Sequence, residues 1–133
     1  MTPLARGHLD KARQSLANAR VILSANLPDE AGRAAYISAF HAAQALISER
    51  TGTAPKTHAG VHSQFGMLAK GDPHFDIALR RFLSQAYELK TVADYDLELD
   101  VVVSPERAAA AIETAARFLD CTAKSIADSD ASS

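Results

Sequence analysis

The stretch from residue 33 to residue 44 reads Arg33-Ala-Ala-Tyr36-Ile-Ser-Ala-Phe40-His41-Ala-Ala-Gln44. Alanine has the highest helix propensity, so this run predicts a helix. Its small side chains let neighbouring helices approach closely, which favours a place in the middle of a bundle. Tyr36 and Phe40 fall on one apolar stripe. Arg33, His41 and Gln44 fall on the adjacent stripe, so the stretch also predicts polar side chains beside the core.

The composition is that of a globular protein. The chain has 133 residues, of which 47% are hydrophobic and 23% are charged, enough for one domain. A formal net charge of −2 argues against a generally basic surface for nucleic acid, although a local basic patch stays open. Cys121 is the only cysteine, which excludes a disulfide framework and a thiolate metal site. No signal-like leader and no apolar run of roughly 18 residues is found, so we expect a cytoplasmic protein without membrane contact.

Capping residues, prolines and glycines divide the chain into helices. Thr2-Pro3 predicts the first helix start, Gly52 predicts the end of the second helix, and Asp72-Pro73 predicts the start of the fourth. The predicted helices cover about residues 3–26, 28–51, 58–70, 73–94 and 105–128. The residues predicted to face the core from the fourth helix are Ile77, Phe82, Leu83, Ala86 and Ala93.

The segment from Tyr95 to Val103 has the only strand-like composition. A lone strand has no partner, so we expect an extended connection there. The sequence therefore predicts an all-α fold, an up-and-down bundle of four long helices plus one short helix. We expect a single domain over residues 1–128 and a frayed tail over residues 129–133.

Three polar residues recur at helical spacing near the end of the fourth helix. Tyr87, Lys90 and Asp94 are separated by steps of three and four, which places them on one stripe. Asp94 lies in the last turn, where a negative charge opposes the helix dipole at a cost of about 0.3–1 kcal/mol, so a cationic partner is expected. Arg33 on the central helix is the cross-helix candidate. Two interpretations stay open: a structural ion pair between two helices, or a polar binding site in the groove between them.

Two histidines lie four residues apart on the short helix. His58 and His62 share a face and could hold a metal ion. No Glu follows the first histidine as in zinc proteases, and no third ligand is evident, so we predict no metal site. His58 is instead expected to cap the helix start together with Thr57. The basic pair Arg80-Arg81 is interpreted as a solvated face.

Several short motifs resemble those of HEPN domains (higher eukaryotes and prokaryotes nucleotide-binding). The likeness is to the small stand-alone bacterial and archaeal branch, and it covers about residues 5–125 in the family's order. The motifs that carry it are Arg33-Ala-Ala-Tyr36, Phe40-His41-Ala-Ala, Lys56-Thr57-His58-Ala-Gly60-Val61, Ala93-Asp94-Tyr95-Asp96 and Ser104-Pro105-Glu106.

The resemblance implies a helical bundle that often forms a homodimer. It also implies frequent pairing with a minimal nucleotidyltransferase in toxin–antitoxin modules. Many HEPN domains are metal-independent ribonucleases, in which an Arg holds the phosphate and a His, about four to six residues later, acts as general acid or base. The matching position here reads Lys90-Thr-Val-Ala-Asp94-Tyr95.

Lys90 thus stands where the family's nucleases have Arg, and Asp94 stands where they have His. A lysine still attracts phosphate but without the bidentate fork of arginine. An aspartate with an ordinary pKa is ionised at neutral pH and is not a general acid. His41 or His58 could supply an imidazole from another helix.

We therefore expect a nucleotide- or RNA-binding or interaction module of a HEPN–nucleotidyltransferase pair. The alternatives are a metal-independent ribonuclease toxin with a degenerate motif, and a structural dimeric partner without a ligand. No cofactor, metal or assigned catalytic residue is predicted. The candidate binding residues are Arg33, Tyr36, His41, Lys56, His58, Tyr87, Lys90, Asp94 and Tyr95.

Overall fold

The computed structural model describes residues 1–95 and 102–132. Four of its helices have 19 to 28 residues and one has 13, and the described residues contain no strand. This confirms the predicted all-α bundle of four long helices plus one short helix. The helices are α1 (Pro3–Ser24), α2 (Pro28–Thr51), α3 (His58–Lys70), α4 (Ile77–Tyr95) and α5 (Pro105–Ser132).

Helix α2 is the centre of the bundle, as the alanine-rich stretch predicts. It contacts each of the other four helices, and more than half of its 24 residues are buried. The predicted apolar stripe is confirmed because Tyr36 and Phe40 are buried, as are Ala43 and Ile47 further along the same face. The small residues between them let α1 approach closely, so that the Ser38 hydroxyl donates to the carbonyl of Ala12 at 2.8 Å.

Local chemistry at the helix ends explains where the chain turns. The Thr2 hydroxyl accepts from the backbone N–H of Ala5 at 3.1 Å and caps α1. The turn into α2 requires a positive φ of 65° at Asn26, and α2 ends at Gly52 with a φ of 90°. Asparagine and glycine are the residues that adopt this left-handed conformation at least cost.

The predicted start of α4 at Asp72-Pro73 is wrong. The helix begins at Ile77, where the Asp76 carboxylate accepts from the N–H of Leu79 at 2.8 Å and serves as the cap. Asp72 instead accepts from the N–H of His74 at 2.9 Å in the turn before it. Ile77, predicted to face the core, is exposed; Leu79 fills the core in its place.

The predicted connection from Tyr95 to Val103 falls largely on residues 96–101, which lie outside the described residues. Val103 is buried, and its N–H donates to the Asp29 carboxylate at 2.9 Å, which fixes the approach to α5. The Ser104 hydroxyl accepts from the N–H of Arg107 at 3.1 Å and caps α5, which begins at Pro105 as predicted.

The domain boundary predicted at residue 128 falls within α5, which continues as a helix to Ser132. The apolar residues that recur at helical spacing along α5 are buried. They are Ala108, Ile112, Ala115, Phe118, Leu119 and Ile126.

Candidate functional site

Seven polar or aromatic side chains meet where α2, α3 and α4 pack together, and we call this set the polar cluster. Two of them come from α2, two from α3 and three from α4. The members of the polar cluster are Arg33, Tyr36, His58, His62, Tyr87, Lys90 and Asp94.

Two cations on adjacent helices share one carboxylate in the polar cluster. Arg33 Nε donates to Asp94 Oδ1 at 2.6 Å, and Lys90 Nζ donates to Asp94 Oδ2 at 2.7 Å. The Lys90 side chain is only 11% exposed, whereas that of Arg33 is 40% exposed. The hydrogen bond from Lys90, and next that from Arg33, hold the pKa of Asp94 below its usual range. The three side chains therefore carry one net positive charge at neutral pH.

The buried hydroxyl of Tyr36 joins the two histidines of α3. It lies 2.7 Å from His58 Nδ1 and 2.8 Å from His62 Nε2. A phenol has a single proton, so Tyr36 donates to one imidazole and accepts from the other. The two hydrogen bonds therefore couple the tautomers of His58 and His62: one ring presents a lone pair to Tyr36 and the other presents an N–H.

Burial sets the protonation of these rings. It lowers the pKa of His58, and the neighbouring Lys90 and Arg33 charges lower it further. Burial, with the nearby His58 ring, also lowers the pKa of His62. Burial raises the pKa of Tyr36, which stays protonated. Both imidazoles are thus neutral near pH 7, and the His58 ring lies close to two cations.

Tyr87 covers the outer side of these groups with an aromatic ring. Its centroid lies 5.3 Å from that of His58 and 5.5 Å from that of His62. Lys90 Nζ lies 6.0 Å from the Tyr87 ring centroid, a cation–π distance. Tyr87 is 37% exposed, so part of this ring is open to a flat ligand.

Six of the nine predicted binding residues meet in the polar cluster, and two of the others, His41 and Lys56, lie elsewhere. His41 Nδ1 pairs with Gln44 Oε1 at 2.9 Å, on the side of α2 facing His8 of α1. It lies five residues after Tyr36, which places it about 140° further round the helix. Lys56 is exposed in the loop before α3. Tyr95 ends α4, and its side chain lies outside the described part of the structure.

Sequence reasoning missed His62 as a member of this site. The spacing of four residues does indicate that His58 and His62 share a face, but it suggests only a metal pair. Both rings are directed at Tyr36 instead, and Thr57 alone caps α3 by accepting from the N–H of Gly60 at 3.0 Å. Among the described residues, no group of three His, Cys, Asp or Glu side chains is placed to hold a metal ion.

A second polar group lies at the far end of the bundle, around a cavity of about 660 Å³. His74 lies between Asp72 and Asp128, with an N···O distance of 2.6 Å to each carboxylate. The hydrogen bond with Asp72, and next that with Asp128, raise the pKa of His74. We call Asp72, His74 and Asp128 the clasp. Their hydrogen bonds join the end of α5 to the turn before α4.

None of the helices, in the portion of the chain that the structure covers, combines the length and apolar character needed to cross a membrane.

Comparison with known proteins gives one family match over almost the whole chain. The family model for the HEPN domain matches residues 5–126. This range includes every member of the polar cluster and all five helices apart from the outer ends of α1 and α5.

Similar proteins occur in an archaeon and a cyanobacterium. "Putative toxin MJ0605" of Methanocaldococcus jannaschii is 28% identical over 118 residues, covering 89% of this chain and 85% of that protein. "Putative toxin MJ0142" of the same organism is 27% identical over 93 residues, covering 70% of this chain and 63% of that protein. "UPF0332 protein glr0978" of Gloeobacter violaceus is 30% identical over 95 residues, covering 71% of this chain and 75% of that protein.

Proposed function

This chain belongs to the HEPN domain family, and from that membership we propose that it is a toxin-like HEPN protein that binds RNA or a nucleotide at the polar cluster. The names of two similar proteins, both called putative toxins, support the toxin-like part of the proposal. The geometry of the cluster supports the ligand class.

One observation carries the ligand class. Arg33 and Lys90, from adjacent helices, converge on the two oxygens of Asp94. The oxygens of a phosphate can accept the same hydrogen bonds, and charge-assisted hydrogen bonds to phosphate are strong. Phosphate would therefore compete with Asp94 for both cations. The open part of the Tyr87 ring beside them supplies a surface on which a base can stack.

Binding of a labelled oligouridylate tests this function. Arg33→Gln removes the more exposed cation and leaves the less exposed ion pair of Lys90 and Asp94 in place. We expect its affinity to fall about tenfold, because one charge-assisted contact is lost. Arg20→Gln is the matched control, since Arg20 also makes a single cross-helix ion pair at 2.8 Å, with Glu113, but on the opposite side of the bundle. Equal affinity in the two variants, or no binding by wild type, would contradict the proposal.

The family membership also supports a protein partner. We propose a cytoplasmic homodimer that pairs with a minimal nucleotidyltransferase. The two arms of this proposal are tested separately. Light scattering of the purified chain is expected to give twice the monomer mass, and coexpression with a small nucleotidyltransferase encoded next to this chain is expected to yield a complex. A monomer would contradict the first arm, and separate elution would contradict the second.

A second candidate function, RNA cleavage, is favoured by the position of His58. Its Nδ1 is engaged by Tyr36, which leaves Nε2 for a substrate. When Nδ1–H donates to the Tyr36 oxygen, and the Tyr36 proton is donated to His62, Nε2 of His58 carries a lone pair. That imidazole is neutral near pH 7, which suits a general base.

In the cleavage step, His58 Nε2 accepts the proton of a ribose 2′-hydroxyl, the 2′-oxygen forms a bond to phosphorus, and the bond from phosphorus to the 5′-oxygen breaks. Water supplies the proton to the departing 5′-oxygen, and Lys90 and Arg33 hold the phosphate charge. The products are a 2′,3′-cyclic phosphate and a 5′-hydroxyl end.

Cleavage is tested with chelator present, and His58→Asn is expected to abolish the cyclic phosphate product. His41→Asn is the matched control, because His41 lies outside the cluster. If the RNA stays intact with wild-type protein, both before and after the dimer is purified, cleavage is rejected and binding is left as the function.

A further inference from the structure

We propose that the groove between α3 and α4 carries a single strand of RNA away from the polar cluster. We call it the basic groove, and the residues that line it are Gly66, Lys70, Ile77, Arg80 and Arg81. The proposal rests on the proposed function, because it extends the same ligand along the surface.

The basic groove is a cavity of about 370 Å³ with three cations on its walls. Within the described ranges, Lys70, Arg80 and Arg81 form no ion pair with a carboxylate. Arg80 Nε is buried and has no hydrogen-bond partner there. A chain with a net charge of −2 thus concentrates three uncompensated positive charges in one groove. Such a groove attracts a polyanion.

Two helix faces connect the basic groove to the polar cluster. On α3, His58, His62, Gly66 and Lys70 recur every four residues and therefore share one face. On α4, Arg80 lies two turns before Tyr87 on the same side. His62 and Tyr87 are in ring contact at 5.5 Å between centroids, so the two faces meet along the groove.

The dimensions favour a single strand. From His58 to Lys70 the α3 face extends about 18 Å, at 1.5 Å per residue. Roughly five stacked nucleotides have this length at 3.4 Å each. Packed helices lie about 8–10 Å apart, so the groove between them is too narrow for a duplex. Cations along a groove with an aromatic ring at one end are the combination that binds single strands without strong sequence preference.

Gly66 forms the open floor of the basic groove. A Cβ at this position would meet no atom within 4 Å, so the space above it is empty. Gly66→Leu therefore fills the groove without disturbing the core, and leucine has a higher helix propensity than glycine. Gly7→Leu is the matched control, because Gly7 is also helical, exposed and free of neighbours within 4 Å, but lies on α1.

Charge removal gives an independent variant. Lys70→Gln with Arg81→Gln removes two exposed cations from the groove. The control pair, Arg6→Gln with Lys11→Gln, removes the same charge from the exposed surface of α1. Each lost phosphate contact on a single strand lowers the slope of log affinity against log salt by about 0.7, so the groove variant is expected to lose about 1.4.

The experiment compares labelled oligouridylate of about twelve nucleotides with uridine monophosphate, at several salt concentrations. We expect both groove variants to bind the oligonucleotide about tenfold more weakly, and to bind the mononucleotide as wild type does. The two α1 controls are expected to match wild type with both ligands. Polyaspartate of similar charge is expected not to compete.

The outcomes separate this proposal from the proposed function. Oligonucleotide binding that depends on Arg33 but is unchanged in both groove variants overturns the groove and leaves the polar cluster as the binding site. Competition by polyaspartate as strong as by RNA also overturns it, since the groove then serves an acidic protein. No binding of any RNA by wild type overturns both proposals.

Discussion

Replacing Asp94 by asparagine distinguishes two interpretations of the polar cluster, a binding site and a purely structural ion pair between helices. Asp94 neutralises part of the charge of Arg33 and Lys90 and occupies the position that a phosphate would take. The substitution keeps the size of the side chain but removes its charge. We expect Asp94→Asn to lower the stability of the protein and, at the same time, to raise its affinity for RNA.

The stability loss can be bounded from exposure. The pair with Arg33 is 40% exposed on the arginine side and contributes at most about 1 kcal/mol. The pair with Lys90 is less exposed, at 11% on the lysine side, and Lys90 keeps the amide oxygen as an acceptor, so we expect a total loss of about 1–3 kcal/mol. An unfolding entropy of about 2.1 cal/mol/K per residue over 133 residues converts this to a fall of about 4–11 °C in Tm.

The affinity gain follows from the released cations. One additional charge-assisted contact to phosphate contributes about 1.5–3 kcal/mol, which is roughly ten- to hundredfold in affinity. The slope of log affinity against log salt is expected to steepen by about 0.7.

Thermal unfolding and oligouridylate binding are measured on the same preparations. Glu113→Gln is the control, because it removes one carboxylate from a cross-helix ion pair on the far side of the bundle; we expect little change in either quantity. A lower Tm for Asp94→Asn without any gain in affinity would refute the reasoning and leave the cluster as a structural ion pair.

Three further predictions concern packing and titration. Tyr36→Phe removes two hydrogen bonds from a buried hydroxyl, which should lower the free energy of unfolding by about 1–3 kcal/mol and Tm by about 4–11 °C. The hydroxyl of Tyr87 has no hydrogen bond among the described residues, so Tyr87→Phe should change Tm by less than about 2 °C. Similar losses in both variants would contradict this. The pKa of His74 is raised by its two flanking carboxylates, so its stabilising effect is complete below about pH 6.5 and is lost as the pH rises through the raised folded-state pKa. His74→Asn should therefore flatten the dependence of Tm on pH above about 6.5. An unchanged profile would exclude the His74 ion pairs as its source. Gly66→Ala should raise the free energy of unfolding by about 0.5–1 kcal/mol in denaturant unfolding. Gly60→Ala should lower it, because a Cβ at residue 60 would lie 2.8 Å from the Thr57 hydroxyl. The reverse order would show that the start of α3 can shift.

Most of the fold could be predicted from the sequence because the signals are local. Thr2-Pro3 and Ser104-Pro105 specify helix starts through caps that the structure contains. The start of α4 could not be predicted in this way, since Asp72-Pro73 carries the same signal. Asp72 is engaged instead by His74 and by Ser125 of α5, a contact between residues 53 positions apart. Tertiary contacts of this kind override a local cap, and no spacing pattern reveals them.

The polar cluster is predictable in part. The Arg33–Asp94 contact could be predicted because the negative charge of Asp94 in the last turn of α4 opposes the helix dipole and therefore requires a cationic partner. Proximity in sequence groups His41 with Tyr36, but the angle between them on the helix directs them to different neighbours. His62 escapes prediction because a Tyr hydroxyl between two imidazoles depends on how α3 crosses α2, and that crossing is set by packing.

The basic groove is not predictable from the sequence. Arg80-Arg81 is a common surface pair, and only the approach of α3 brings Lys70 and the open space at Gly66 beside it.

The five histidines are natural reporters of where RNA binds, because they lie in three different places. His58 and His62 belong to the polar cluster, His8 and His41 lie together between α1 and α2, and His74 lies in the distant clasp. The most direct measurement is an NMR titration of the imidazole signals with oligouridylate. We expect the signals of His58 and His62 to shift while those of His8, His41 and His74 do not. Shifts confined to the other three rings, or no shift at saturating RNA, would contradict RNA binding at the polar cluster.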